Sequence, residues 1–138
     1  MSKQKVLIIK TGYSEVLDMQ SSSREVSSGD VLRVTPILHV FKEDHVTWLS
    51  DPQAFPLLED NPLINRLMPY DFTTRDQLTA ERFDTLINLE KFHPLCGLAN
   101  LINAWRKYGF RLDPQTGNAE AFDRASETFI VSTDFDSK

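Results

Sequence analysis

The residues best suited to chemistry stand in the stretch "VSSGDVLRVTP", 26–36, where Asp30 follows a serine pair and a glycine. A carboxylate in that setting has two uses. It can take a proton from an attacking hydroxyl as a general base. It can also steady a helix start, where the macrodipole favours negative charge by about 0.3–1 kcal/mol. Ser28 is itself a competent helix cap, so local chemistry leaves both roles open for Asp30. Further candidates are Lys10, Thr11 and Gly12, then Ser50-Asp51, Tyr70-Asp71, and the run from Asn88 to His93 with Glu90 and Lys91. The same doubt attaches to Asp51, because Asp-Pro is a common helix start.

The candidates fall into place once the elements are read. Val6 to Ile9 form a continuous apolar run, as expected of a strand buried on both faces. Residues 11–29 then make a long, serine-rich connection, against the 2–6 residues usual for a βα loop. From Asp30, Val31, Val34, Leu38 and Phe41 fall at helical spacing, but Pro36 cannot donate to the carbonyl four residues back. Either one kinked helix results, or a short turn over 29–34 is followed by a helix capped by Thr35. Strands are expected at "HVTWLS", "INRLMPY", "FDTLINLE" and "KYGFRLD". Between them, Asp51-Pro52 starts a short helix and Thr74 with Gln77 has capping-box spacing. Pro94 opens a helix whose Leu95, Leu98, Ile102 and Trp105 share a face. From 114 to 138 the pattern is weak: a turn at "PQTGN", a helical turn or two at "AEAFDRAS" and a short apolar run at "TFIVST".

Alternating strands and helices predict one Rossmann-like α/β domain over 1–138 with a parallel sheet, whose ligands gather at the carboxyl ends of the strands. That edge carries every candidate named above.

Several function classes drop out. No GxGxxG follows the first strand and no GxxxxGK[ST] occurs, so a dinucleotide fingerprint and a P-loop are both missing. Phosphate can still meet free amides at the first helix, near Lys10. His39, His45 and His93 lack ligand spacing, and Cys96 is the only cysteine, so neither a metal site nor an intrachain disulfide is expected. The thiol suits small apolar packing within a helix, while His93 suits either substrate contact or a helix start. No nucleophile elbow or Ser-His-Asp arrangement appears. Lys10-Thr11 stands where a two-component receiver needs acids. With 15 Lys plus Arg against 20 Asp plus Glu, the net charge of -5 disfavours nucleic acid as a partner. No run is long enough for a membrane span or a signal peptide. A cytoplasmic, soluble protein is expected, with room for peripheral membrane contact.

"KVLIIKTG", "GDVLRVTPIL", "HVTWLSDPQAFPLLEDNPLINRLMPYD", "FDTLINLEK" and "RKYGFRLD", taken in order, resemble the N-terminal half of the heptosyltransferases. These are inverting glycosyltransferases of family 9 that build lipopolysaccharide inner core. The resemblance covers about residues 5–113 and speaks to the family rather than to the substrate. It implies a GT-B architecture, in which an N-terminal domain grips a saccharide or lipid-linked saccharide acceptor. A C-terminal domain holds ADP-heptose or a similar nucleotide sugar. It also implies that Asp30 is the catalytic base. Lys10, Thr11 and Gly29 would shape its surroundings, with Asn88, Glu90, Lys91 and His93 as acceptor contacts.

Two features depart from the family pattern. The connection "TGYSEVLDMQSSSREVSS" replaces a short loop, and the chain stops where the donor domain would begin. The polypeptide alone is therefore expected not to complete a transfer. An anionic inner-core acceptor would also call for a basic patch, and Arg106, Lys107 and Arg111 are the obvious cluster, though such clusters are commonly solvated faces. The competing expectation is a non-catalytic binding module that keeps the fold.

Overall fold

Residues 3–13 and 28–122 are described by a computed structural model. Six strands form one sheet in the order β3-β2-β1-β4-β5-β6. These are β1 (Lys5–Ile9), β2 (His45–Ser50), β3 (Arg66–Pro69), β4 (Arg82–Asn88), β5 (Asn103–Leu112) and β6 (Ala119–Ala121). The first five run parallel, with β1 central between β2 and β4. The sixth pairs antiparallel, Phe110 opposite Ala121. A Rossmann-like sheet is thus present, closed at one edge by a reversed strand.

The apolar run of β1 is explained by its two faces. Leu7 and Ile9 pack with Leu49, Leu86, Leu95 and Leu98 on one side. Val6 and Ile8 pack with Val31, Leu38, Val46 and Trp48 on the other. The first face is covered by α3 (Phe72–Ala80) and α4 (His93–Leu101). The second lies beneath α1 (Ser28–Arg33), a 3-10 helix at Thr35–Phe41, and α2 (Phe55–Leu58), which follows a 3-10 turn at Pro52–Ala54. Each fully buried Leu or Ile contributes about 1.5–3 kcal/mol of transfer free energy.

Pro36 divides the segment after Asp30 into two pieces. The second is a 3-10 helix with Val34 at its cap position, and no side chain caps it; the Thr35 hydroxyl instead donates back to the Leu32 carbonyl at 2.8 Å. At α3 the cap is Asp71, which accepts from the Thr74 amide at 2.8 Å, so Thr74 lies inside the helix rather than before it.

The expected helix through Trp105 ends earlier. Ile102 is its C-cap in extended conformation, and Trp105 belongs to β5, 88% exposed. Pro94 is the helix's second residue, after His93. Residues 119–121, expected as a helical turn, form β6. Residues 123–126 of that expected turn, the run "TFIVST" and residues 14–27 of the long connection lie outside the described residues.

Candidate functional site

The carboxyl ends of β1, β2 and β4 meet at one rim, and the side chains there are knotted around Glu90. Its carboxylate is 2% exposed. Oε1 pairs with Lys10 Nζ at 2.9 Å. Oε2 accepts from the Thr11 hydroxyl at 2.6 Å and from the Tyr13 amide at 3.2 Å. A buried carboxylate persists only when its charge and lone pairs are satisfied, and here a cation, a hydroxyl and an amide supply that.

Backbone bonds set this geometry. The Lys10 amide donates to Leu49 O at 3.2 Å and the Leu89 amide to Ile9 O at 3.0 Å, so the three strand ends stay in register. The Trp48 indole N–H donates to Lys10 O at 3.1 Å. Tyr13, just past β1, extends the knot: its hydroxyl donates to Asp51 Oδ2 at 2.6 Å. Its ring lies edge-on to Tyr70 and Phe92, at centroid distances of 6.2 and 5.3 Å. Asp51 at the same time caps the 3-10 turn through the Gln53 amide at 2.9 Å.

Asn88 is fully buried and serves as an internal brace. Its amide nitrogen donates to Glu90 O at 3.1 Å and Phe110 O at 2.9 Å, and its Oδ1 accepts from the Glu90 amide at 3.1 Å. Gly109, opposite Asn88 in β5, has φ +99, and a Cβ there would stand 1.9 Å from Asn88 O. Only glycine tolerates both conditions. Cys96 packs beneath, its thiol donating to Glu90 O at 3.2 Å. Burial pushes that thiol up to about 11, with the Glu90 charge adding to the rise and the Asn88 hydrogen bond opposing it. A thiol so held is not a nucleophile at neutral pH.

Asp30 sits in the first turn of α1, the helix that follows β1. Its Oδ1 pairs with Arg33 Nη2 at 2.9 Å, and 45% of its side chain is open to solvent. Gly29 beside it is exposed with open space around its Cα. Lys91 is exposed, with Nζ 5.0 Å above the Phe110 ring. His93 begins α4 and is exposed, while Phe92 holds the cap position.

The structure therefore gathers Lys10, Thr11, Asn88 and Glu90 into one buried network, while Asp30 is partly exposed and Gly29, Lys91 and His93 are exposed. Tyr13 is the participant that sequence reasoning missed. Its one local signal is its place four residues beyond the buried strand, since its partner Asp51 is remote in sequence. The basic cluster is dispersed along β5. Lys107 Nζ donates to Ala99 O at 2.9 Å and Asn100 O at 3.2 Å, at the end of α4. Arg111 grips Glu120 with two donors at 2.9 and 2.6 Å. Among the described residues no three His, Cys, Asp or Glu gather as a metal site, and no helix is long and apolar enough to cross a membrane.

No protein-family model and no curated protein matches the sequence. Solved structures do resemble the fold. The glycosyl transferase family 9 protein from Veillonella parvula DSM 2008 aligns with a TM-score of 0.59 at 18% identity, over 94% of this chain and 40% of its own. The E. coli heptosyltransferase WaaC with ADP aligns with a TM-score of 0.56 at 18% identity, over 93% of this chain and 46% of its own. E. coli ADP-heptose lps heptosyltransferase II aligns at 0.56 and 15% identity, over 76% and 30%. The chain spans less than half the length of each, and across that span it has the Rossmann-like fold of these family 9 and heptosyltransferase GT-B structures.

Proposed function

We infer that this chain is the acceptor-binding, N-terminal half of an inverting, heptosyltransferase-like glycosyltransferase, working in the cytoplasm with a nucleotide-diphospho-sugar donor. The observation that carries this reading is the position of Asp30. It is an accessible carboxylate in the first turn of the helix after β1, and the residues that follow β1 and β4 are tied together through Glu90. The likeness to structures that hold ADP, or ADP-2-deoxy-2-fluoro heptose in WaaC, supports a nucleotide sugar as the donor. A C-terminal domain would bind it.

In the step proposed, the acceptor O–H bond breaks and its proton passes to the Asp30 carboxylate. The acceptor oxygen forms a bond to the anomeric carbon, while the bond to the nucleoside diphosphate breaks and that group departs with the electron pair. Attack from the opposite face inverts the centre. A carboxylate suffices because the hydroxyl turns acidic late in the transition state. Arg33, one turn away, holds the carboxylate by its ion pair.

The chain titrated with a neutral oligosaccharide should show NMR shifts at the Gly29 and Asp30 amides, and none there with ADP-heptose. The reverse pattern sinks the acceptor-half reading. When the chain is joined to a donor-binding domain, Asp30→Asn should lower transfer by about 10²–10⁴-fold. Transfer that survives Asp30→Asn undiminished would return Asp30 to the role of helix stabiliser. It would also favour a binding module as the function.

A further inference from the structure

A cleft of about 480 Å³ opens at the amino ends of β4 and β5, lined by Arg82, Phe83, Asp84, Asn103 and Trp105. Parallel pairing sets Arg82 beside Asn103 and Phe83 beside Ala104, so Asp84 and Trp105 come next on their strands. β4 is seven residues long, and at about 3.3 Å per residue this end lies roughly 20 Å from the carboxyl rim. A single sugar ring cannot touch both ends. Trp105 is 88% exposed, whereas Trp48, the other tryptophan, is fully buried. Phe83 is 1% exposed, and Lys5 Nζ stands 4.8 Å from its ring centroid.

The polar groups around the indole are uncommitted. The side chains of Arg82 and Asn103 make no hydrogen bond or ion pair among the described residues. Asp84 commits Oδ2 to the Lys5 amide at 2.7 Å, and its Oδ1 has no partner among the described residues. The cleft thus offers donors from Arg82, Asn103 and the indole N–H, and acceptors from Asp84 and Asn103. A pyranose ring matches that set. Its C–H face is apolar and lies flat on an indole, while its hydroxyls both donate and accept around the edge. A protein partner would need about 800 Å² of this surface, whereas the cleft has the volume of a small-ligand site. We propose that it binds a saccharide, with Trp105 as the stacking platform and Arg82, Asp84 and Asn103 as hydroxyl partners. Such binding is independent of the acceptor-half reading and adds a second sugar site at the opposite end of the sheet.

Iodide quenching of the intact chain reads the site directly, because Trp48 is buried and quenchable emission comes from Trp105. The free chain should quench readily, and at least one of gluco-, manno- and galacto-oligosaccharides at millimolar concentration should protect it. The same sugar should shift the Asp84 and Asn103 amides by NMR. Trp105→Ala, at an exposed position, should weaken that binding about tenfold, and Asn103→Ala about threefold. Shielding of Trp105 without added sugar overturns the proposal. It would put a second copy on the indole if it grows with protein concentration, and a segment of the same chain if it does not. Absence of shifts at Asp84 and Asn103 with all three sugars also overturns it. So does binding that neither folded variant weakens. Shifts confined to Gly29 and Asp30 overturn it while favouring the acceptor-half reading.

Discussion

Glu90 and Glu81 hold cations at opposite ends of the same sheet, and they do so under different constraints. At the carboxyl end, Glu90 is 2% exposed and has one cation, one hydroxyl and one amide as partners. At the amino end, Glu81 follows α3 with 19% of its side chain exposed. Its Oε1 takes both Lys5 at 2.7 Å and Arg66 at 2.9 Å. The amino-end cluster fastens β1 to β3 across the bottom of the sheet, with Arg66 also donating to the Thr47 hydroxyl at 3.0 Å. Water reaches it, and loss of one partner is softened by solvation. The rim knot has no such relief. A chain tolerates so demanding an arrangement where the position of Lys10 and the residues after it matters. The comparison thus separates a device for stability from one for shape.

The comparison breaks most visibly at Glu90. Glu90→Ala should cost about 3–5 kcal/mol in denaturant unfolding, because it removes the carboxylate that pairs Lys10 and accepts from the buried Thr11 hydroxyl. A loss under about 1 kcal/mol would show that water satisfies the rim as readily as the foot. Gly109→Ala tests the backbone that supports the same knot. The positive φ and the clash with Asn88 O should together remove about 2–4 kcal/mol of stability.

Glu81 sets the lower bound. Burial works to raise its pKa, but hydrogen bonds and charge from Arg66 and Lys5 prevail and hold it at about 2, from 4.5. A carboxylate so depressed contributes stability that is fully present above the unfolded value. That contribution is lost as pH falls from 4.5 through about 2. Lys5 is 38% exposed, so the contribution is about 1–2 kcal/mol after screening. Glu81→Gln should therefore flatten the stability profile over that acid range, measured by urea unfolding at successive pH values. An unchanged slope would mean the cluster adds nothing.

What could be read from the sequence divides along physical lines. The strands were legible because β1, β2 and β4 are buried on both faces, and a strand so placed is written as an unbroken apolar run. The location of Asp30 in the first turn of the helix after β1 followed from the order of strands and helices. Pro36 announced a break without fixing its form, since a 3-10 turn and a second α-helix share the same proline signal. Trp105 misled because helical spacing continued past the true end of α4, and spacing does not register where a backbone turns extended. The knot itself was opaque. Thr11 meets Glu90 and Tyr13 meets Asp51 across long sequence separations, and local pattern carries nothing about such pairs. Asn88 and Glu90 could be placed at the right edge, but not known to face inward.

The strand order has a consequence for how the chain is born. Of the six strands β1 leaves the ribosome before the others, yet its neighbours are β2, which pairs Lys5 with His45, and β4, which pairs Val6 with Thr85. Until residue 88 has emerged, the most apolar strand of the protein has at least one open hydrogen-bonding edge. Parallel pairings of such span form slowly, and exposed strand edges invite association between nascent chains. The central position that makes β1 the keel of the finished sheet also makes it the segment longest in need of shelter during synthesis.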